Sequence, residues 1–137
     1  MKKSVIRAMA SADEFARHIH TNPNTPLNAM QLDILFTVTN TPEAMRPSEL
    51  ATKLNVNRPI ITKNAAVLID LGYLTKVPED DDGRAFTFAL TRSGESLTSG
   101  LLGKQYYGNI DKLLAILGKK KLNKLTRLLD EANAALH

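Results

Sequence analysis

The stretch from Pro47 to Thr91 constrains the fold of this chain more than any other part of its sequence. Two short segments with helical apolar spacing stand on either side of a tight polar turn, and two runs rich in Tyr, Val, Phe and Thr follow them. This pattern predicts a helix over Pro47–Leu54, a second helix that Asn57 begins and Gly72 ends, and then a β-hairpin. That order of elements is typical of a winged helix-turn-helix.

The second of these helices carries the signals of a well-defined start and end. The side-chain oxygen of Asn57 can accept a hydrogen bond from an otherwise unpaired amide of the first turn, and Val56 and Ile61 have the spacing of a hydrophobic staple. Pro59 disfavours helical angles at the residue before it, so the helix could start one residue later than the cap indicates. Gly72 stands where a C-terminal glycine belongs. Apolar residues at helical steps are Ile61, Ala65, Leu68 and Leu71, and the first three are expected to face the core.

The hairpin is predicted from two strands, Tyr73–Val77 and Ala85–Leu90, with a charged tip between them. Arg84 is the cation of that tip, and positions 79–82 before it are all acidic. An arginine on a β-arm can enter a DNA minor groove, whereas the acidic residues should repel phosphate. The sequence of the tip therefore predicts a contact with nucleic acid. The acidic residues of the tip should weaken this contact or make it more sensitive to salt.

Helical spacing extends on both sides of this region. We expect a helix over residues 4–20, a helix that begins at the N-cap Asn28 and stops before Asn40, a long helix from Thr91 to Gly118, and a last helix over Lys119–Leu136. Glycines at positions 100, 103 and 108 predict a bend or a close contact within the long helix. The predicted fold class is mainly α within an α+β arrangement, a winged helix-turn-helix with a small β-hairpin wing.

The first and last helices carry apolar stripes that have no partner inside a small winged domain. Mutual burial of these stripes across a two-fold axis would cover them, so the sequence predicts a homodimer. We expect a single regulator chain over 1–137, with a DNA-binding lobe over 28–94 and dimerisation helices over 1–20 and 95–137. The residues predicted to form the dimer interface are Val5, Met9, Phe15, Leu113, Leu117, Leu122, Leu125, Leu129 and Leu136.

Composition narrows the class of protein further. The 137 residues carry a formal net charge of +4, and a dimer carries twice that charge. This positive charge weakly favours binding to a polyanion, but it equally fits a protein whose surface is merely basic. The sequence has no cysteine, which excludes disulfides and thiolate metal sites. Arg7 interrupts the apolar start too early for a signal peptide, and no segment approaches the ~20 apolar residues of a membrane span. We therefore expect a cytoplasmic protein with no membrane contact.

Several short motifs, each weak alone, occur in an order that resembles MarR-type transcriptional regulators. They are Gln31 and Leu35, Ser48-Glu49-Leu50-Ala51, Thr62, Leu68, Gly72, Asp82-Gly83-Arg84 and Leu90-Thr91-Arg92-Ser93-Gly94. The sequence departs from the family pattern at Asp81, where an arginine often stands. The resemblance implies a homodimeric repressor that binds double-stranded DNA at an inverted-repeat operator. It also implies a small-molecule effector, but no cofactor.

The resemblance and the chemistry of the residues point to one candidate DNA interface. Short polar groups and cations in the first turns of the recognition helix can meet base edges and phosphates in a major groove. For the wing, the resemblance implies that Arg84 enters the minor groove while Asp82 holds its guanidinium. The alternatives are a capping role for Asn57, an ordinary solvated helix face, and a surface salt bridge that tightens the hairpin. The predicted recognition residues are Asn57, Arg58, Pro59, Thr62 and Lys63.

Other classes of function have less support in the sequence. No Ser-His-Asp pattern or phosphate-binding glycine pattern occurs, so we expect no enzyme. The acidic tip lacks the separated ligands of a calcium loop. The remaining alternative for a metal site combines His18 and His20 with Asp13 or Glu14 across a dimer interface. We predict no metal. The main rival is a winged-helix protein-interaction module that does not bind DNA, which the acidic wing favours. Candidate residues for an effector pocket, equally suited to plain core, are Met9, Met30, Phe36, Tyr106 and Tyr107.

Overall fold

A computed structural model describes residues 1–80 and 84–137 of the chain. The elements, in chain order, are α1 Lys3–His18, α2 Ala29–Asn40, α3 Pro47–Leu54, α4 Arg58–Asp70, β1 Leu74–Pro78, β2 Phe86–Leu90, α5 Arg92–Ser99, α6 Leu101–Tyr106 and α7 Ile110–Leu136. They form two compact units. The winged-helix unit is Pro23–Lys104, and the helical unit combines Met1–Asn22 with Gln105–His137. The predicted fold class, mainly α with one small hairpin, is confirmed.

The core of the winged-helix unit lies between its helices and the hairpin. Helices α2, α3 and α4 pack on one another, and α2 also contacts β2 and α5. The two strands pair antiparallel, with Leu74 opposite Leu90 and Pro78 opposite Phe86. A backbone bridge from Phe88 to Met45 extends the hairpin toward the segment before α3. The most deeply buried side chains are Ile34, Leu35, Phe36, Leu50, Ile61, Leu68 and Leu74.

The helix starts of this unit follow the capping signals of the sequence. Asn28 and Gln31 form a reciprocal capping box at the start of α2, which confirms Asn28 as its N-cap. Helix α4 begins at Arg58, directly after its Asn57 cap, so Pro59 occupies the first turn without delaying the helix. Gly72, with φ of 83°, provides the left-handed residue after α4 that was expected there.

The strand bounds differ from the sequence prediction by one residue, since β1 ends at Pro78 rather than Val77 and β2 begins at Phe86 rather than Ala85. Strand β1 begins at Leu74 rather than Tyr73, because the Tyr73 amide donates to the Leu68 carbonyl and thereby completes the end of α4. Ile61, Ala65 and Leu68 are buried as predicted, whereas Leu71, the last apolar residue at helical spacing, is 51% exposed. It follows the last residue of α4, and the step from Leu68 turns it about 60° around the helix axis, away from the buried stripe.

The helical unit is built from α1 and α7 with the turns that connect to them. Helix α1 ends at His18, two residues earlier than predicted, and the segment that follows it is bonded to the end of α6. The Thr21 amide donates to the Tyr106 carbonyl, and the Thr21 hydroxyl donates to the Gln105 carbonyl. The ring of His20 stacks on that of Tyr106, with centroids 4.1 Å apart.

The prediction of one long helix from Thr91 to Gly118 is wrong, because the helix breaks at two of its glycines. Gly100 separates α5 from α6, and Gly108 lies in the turn between α6 and α7. Gly103 is a close contact instead, since a Cβ there would lie 2.0 Å from the Thr98 carbonyl oxygen. Gly118 has non-helical angles, with φ of 74° and ψ of 166°, and so divides α7 where the sequence predicted one helix to end and the next to begin. Among the described helices, none has the length and apolarity that a bilayer crossing requires.

Candidate nucleic-acid interface

A tight turn between α3 and α4 sets the angle of the helix-turn-helix. Asn55 ends α3 in the left-handed conformation, with φ of 55°, a geometry that asparagine tolerates better than most residues. The Val56 amide donates back to the Ala51 carbonyl, and Asn57 then caps α4 by accepting from the Ile60 amide at 3.1 Å. The turn thus pairs a backbone carbonyl at the end of α3 and a backbone amide at the start of α4 through local hydrogen bonds.

The five predicted recognition residues are all exposed on the first two turns of α4. Two of their polar groups already have partners, since the Asn57 side-chain oxygen serves the cap and the Thr62 hydroxyl donates to the Arg58 carbonyl at 3.1 Å. Among the described residues, no carboxylate lies within ion-pair distance of Arg58 or Lys63. Their cationic groups can therefore meet an external anion without first breaking an internal ion pair. The capping interpretation of Asn57 is confirmed, but its role in recognition stays a prediction.

An amide cluster that sequence reasoning did not find fixes α4 against the start of α2. The side-chain oxygen of Asn64 accepts from Asn28 at 3.1 Å and from Gln31 at 3.4 Å. The Asn64 amide group donates to the Ile60 carbonyl at 2.9 Å. Because Asn28 and Gln31 also cap α2, one cluster joins the first turn of α2 to the second turn of the recognition helix. Its members lie 33 and 36 residues apart, so no local pattern could have paired them.

The wing places Arg84 on an exposed tip. The Glu79 amide donates to the Ala85 carbonyl at 2.9 Å and closes the hairpin just beyond the last strand pair. Arg84 is exposed, whereas its expected partner Asp82 lies outside the described residues. The aromatic base of the wing holds Phe86 edge-on to Phe88, with centroids 5.6 Å apart, and the Lys76 ammonium lies 4.6 Å above the Phe86 ring.

Glu79, one of the four acidic residues expected to repel phosphate, is neutralised by Arg46. The Arg46 Nε and Nη2 atoms donate to the two Glu79 carboxylate oxygens at 2.8 and 2.6 Å, a bidentate arrangement. This hydrogen-bonded pair lowers the pKa of Glu79 and raises that of Arg46. It also ties the base of the wing to the residue that precedes α3. Sequence reasoning missed Arg46, because its partner is 33 residues away and no periodic pattern connects them.

The junction after the wing explains the Leu90–Gly94 motif. The Thr91 hydroxyl caps α5 by accepting from the Gly94 amide at 3.0 Å, and it donates to the Gly72 carbonyl. The Thr91 amide donates to the Tyr73 carbonyl at 3.1 Å. That same carbonyl oxygen would lie 2.1 Å from a Cβ at position 94, so only glycine fits there. These bonds hold the far end of the wing against the end of the recognition helix.

The residues predicted to dimerise lie on surfaces that a single chain leaves largely uncovered. Across their fully described lengths, α1 and α7 contain no buried residue. Phe15, Leu113, Leu117, Leu122 and Leu125 are half-buried, and the other predicted interface residues are exposed. Further exposed apolar residues of the same unit, which the prediction omitted, are Ile6, Ile110, Leu114, Ile116 and Leu128. Their role in an interface stays a prediction.

The remaining sequence candidates have ordinary surroundings. Among the described residues, no three His, Asp or Glu side chains are grouped so that they could hold a metal ion. Of the candidate effector-pocket residues, Met30 and Phe36 lie in the winged-helix unit, with Phe36 in its core. Met9, Tyr106 and Tyr107 lie in the helical unit, where the two tyrosines pack edge-to-face.

Comparison with known proteins gives a consistent picture. Residues 25–85 match the model of the MarR family. An uncharacterised HTH-type transcriptional regulator of Mycobacterium leprae is 29% identical over 100 residues, which are 73% of this chain and 69% of that protein. The family match at residues 25–85 includes the helix-turn-helix and strand β1 of the wing.

Two solved structures show the same fold at low sequence identity. NadR in complex with 4-hydroxyphenylacetate superposes with a TM-score of 0.76 at 19% identity, over 97% of this chain and 94% of that one. A mutant MarR of E. coli complexed with operator DNA superposes with a TM-score of 0.54 at 22% identity, over 78% of this chain and 76% of that one. These likenesses establish a winged helix flanked by helices.

Proposed function

We propose that this chain, whose residues 25–85 match the MarR family, is a sequence-specific DNA-binding repressor that acts as a homodimer on an inverted-repeat operator. The observation that carries this proposal is the construction of α4. Its first two turns expose Arg58 and Lys63 without internal ion pairs among the described residues, while Asn64 holds the helix in place. A rigidly held helix with exposed cations at its start suits insertion into a major groove.

The wing supplies the second part of the proposed interface. Its base is held at both sides, by the Arg46–Glu79 pair and by the Thr91 junction, and its tip exposes Arg84. We propose that Arg84 enters the minor groove beside the major groove that α4 occupies. Because Arg46 pairs with Glu79, one of the negative charges that would oppose this contact is neutralised.

The uncovered apolar stripes of the helical unit are the basis for proposing a homodimer. Helices without buried residues gain little from tertiary packing, so α1 and α7 need another surface to cover their apolar stripes. A second copy provides a matching surface across a two-fold axis. Two recognition helices about 34 to 36 Å apart then meet successive major grooves, which requires an operator with inverted half-sites.

A small-molecule effector forms part of the proposal. The structural neighbour NadR was solved with 4-hydroxyphenylacetate, so this acid is the first probe to use. An effector acts only through its different affinity for the DNA-binding and the non-binding arrangements of the dimer. If 4-hydroxyphenylacetate weakens operator binding, the operator must weaken its binding by the same factor, which calorimetry measures.

The direct test selects bound duplexes from a random DNA pool and then compares variants on the enriched sequence. We expect an enriched inverted repeat. Arg84→Ala should cost about 1–3 kcal/mol of operator binding while leaving the oligomeric state and the thermal unfolding temperature unchanged, because the side chain is exposed. Lys104→Ala, which removes the same charge from α6 of the same unit, is the matched control and should retain affinity.

Two results would contradict parts of this proposal. If Arg84→Ala binds the operator as the unaltered protein does, the wing has no role in DNA contact. If no sequence is enriched and duplex binding does not fall as salt rises, the chain is instead a winged-helix protein-interaction module.

A further inference from the structure

The positive charge of this chain lies outside its winged-helix unit. Residues 23–104 contain eight Lys and Arg against nine Asp and Glu, a net charge of −1. Residues 1–22 and 105–137 contain ten Lys and Arg against five Asp and Glu, a net charge of +5. The two values add to the +4 of the whole chain. The bias toward a polyanion noted in the sequence therefore belongs to the helical unit.

Half of that unit's cations are concentrated on one part of α7. Lys119–Arg127 contains five Lys and Arg in nine residues, and the sequence has no acidic residue between Asp111 and Asp130. A groove of about 630 Å³ follows this part of the helix, lined by Lys120, Lys121, Asn123, Lys124 and Arg127. All five are exposed, and no carboxylate of the described residues lies within ion-pair distance of the four cations.

The cations and the apolar residues of this segment lie on opposite faces. With about 3.6 residues per turn, Lys120, Lys124 and Arg127 share one face of the helix, which we call the cationic face. The leucines at 122, 125 and 129 lie on the opposite side. Burial of the leucine stripe by a second copy would leave the cationic face in solvent. The interface proposed above and this face do not compete.

Like charges three and four residues apart on a helix destabilise it, so this arrangement is unfavourable for the isolated helix. An external row of negative charges would relieve the repulsion along the whole face. A lipid surface fits less well, because an interfacial helix inserts its apolar face into the bilayer and would withdraw the leucine stripe from the dimer. The phosphates of duplex DNA need only the cations.

We propose that the cationic face of α7 binds the phosphate backbone of duplex DNA, as a sequence-independent contact separate from the operator contacts of the winged-helix unit. The proposal rests on the proposed function for its biological setting, since that function brings the protein to DNA. It assigns most of the non-specific, salt-dependent affinity to the helical unit, and sequence preference to the winged-helix unit. Neutralising the cationic face should then lower affinity for all duplexes and leave the preference for the operator intact.

The test uses the full chain with three substitutions, Lys120→Ala, Lys124→Ala and Arg127→Ala. Alanine favours helix, so α7 should stay folded. A second triple variant, Lys120→Gln, Lys124→Gln and Arg127→Gln, keeps long polar side chains. The matched control, Lys2→Ala, Lys3→Ala and Arg7→Ala, removes the same charge from the same unit. Affinity is measured from about 50 to about 200 mM salt, on a long duplex with the operator and on an equally long duplex without it.

We expect both face variants to bind the non-operator duplex roughly tenfold or more weakly at about 50 mM salt, with a log–log salt slope shallower by about 0.9 for each phosphate that the face no longer neutralises. The ratio of operator to non-operator affinity should not change, and the control should keep most of its affinity. Unchanged slopes in the face variants would overturn the inference. An equally large drop in the affinity of the control would overturn it as well, since net charge alone would then explain the effect.

A vesicle arm separates the remaining alternative. If the face variants lose binding to phosphatidylcholine–phosphatidylserine vesicles and keep their DNA affinity, the face is a lipid-binding surface and the inference is wrong. The test of the cationic face can be separated from the test of the proposed function. The proposed function fails if the unaltered protein shows no preference for the operator. Weaker non-operator binding by the face variants would still support the inference in that case.

Discussion

Arg46 and Glu79 hold the base of the wing by two hydrogen bonds of 2.6 and 2.8 Å. At the scale of single residues, this pair makes the wing less negative than its sequence suggests. Glu79 has a pKa lowered from the ordinary value of 4.5, so the contribution of the pair is complete above pH 4.5 and is lost as pH falls through the lower folded value. A change of pH between about 6 and 8 should therefore not alter DNA binding through this pair, because Glu79 stays ionised over that range.

A double-mutant cycle tests this neutralising role. Arg46→Ala should weaken operator binding, because it leaves the Glu79 carboxylate unpaired near the DNA. Glu79→Gln alone should preserve binding, and the double variant should bind better than Arg46→Ala alone. Unfolding stability should stay nearly unchanged in all three variants, because the pair is exposed and screened by solvent. Binding titrations of the four proteins measure the coupling; equal affinities of Arg46→Ala and the double variant would contradict it.

At the scale of elements, the wing is positioned by the end of the recognition helix and the start of α5. Thr91 joins all three, since it bonds to Gly72 and Tyr73 and caps α5. Gly94 allows the first turn of α5 to approach the Tyr73 carbonyl. These contacts join the wing to the end of α4, and they depend on a close backbone approach at Gly94.

Two glycine substitutions measure the importance of this contact. Gly94→Ala places a Cβ against backbone, so it should lower the free energy of unfolding by roughly 3 kcal/mol or more. Gly72→Ala is the matched control; it meets no atom within 4 Å and costs only the left-handed conformation, roughly 1–2 kcal/mol. Chemical denaturation gives both values. The reverse order would mean that the junction yields easily and does not position the wing.

At the scale of the whole molecule, the two units differ in charge and in the burial of their apolar residues. The winged-helix unit has a buried core and a net charge of −1, whereas the helical unit has largely uncovered helices and a net charge of +5. The helical unit therefore has two surfaces to satisfy, an apolar stripe and a cationic face. We propose a second copy for the first and DNA phosphates for the second.

Removal of the second half of α7 tests the proposed dimer. A chain that ends after Gly118 should be monomeric or unfolded, because it lacks the leucine stripe. A full-length variant with Leu125→Lys and Leu129→Lys should also lose the dimer, while Lys120→Ala with Lys124→Ala, on the opposite face, should keep it. Light scattering and sedimentation measure the mass. A well-folded dimer of the truncated chain would place the interface elsewhere.

The sequence by itself determined the N-caps Asn28 and Asn57, the left-handed Gly72 that follows α4, the hairpin and the break at Gly118. These features depend on capping, backbone preference and periodicity, which act between residues a few positions apart. Only the tertiary structure decided that Arg46 neutralises Glu79, that Asn64 joins α4 to α2, and that Gly94 meets Tyr73. Such contacts join residues about 20 to 36 positions apart, and they form only once the packed core has brought their helices and strands together.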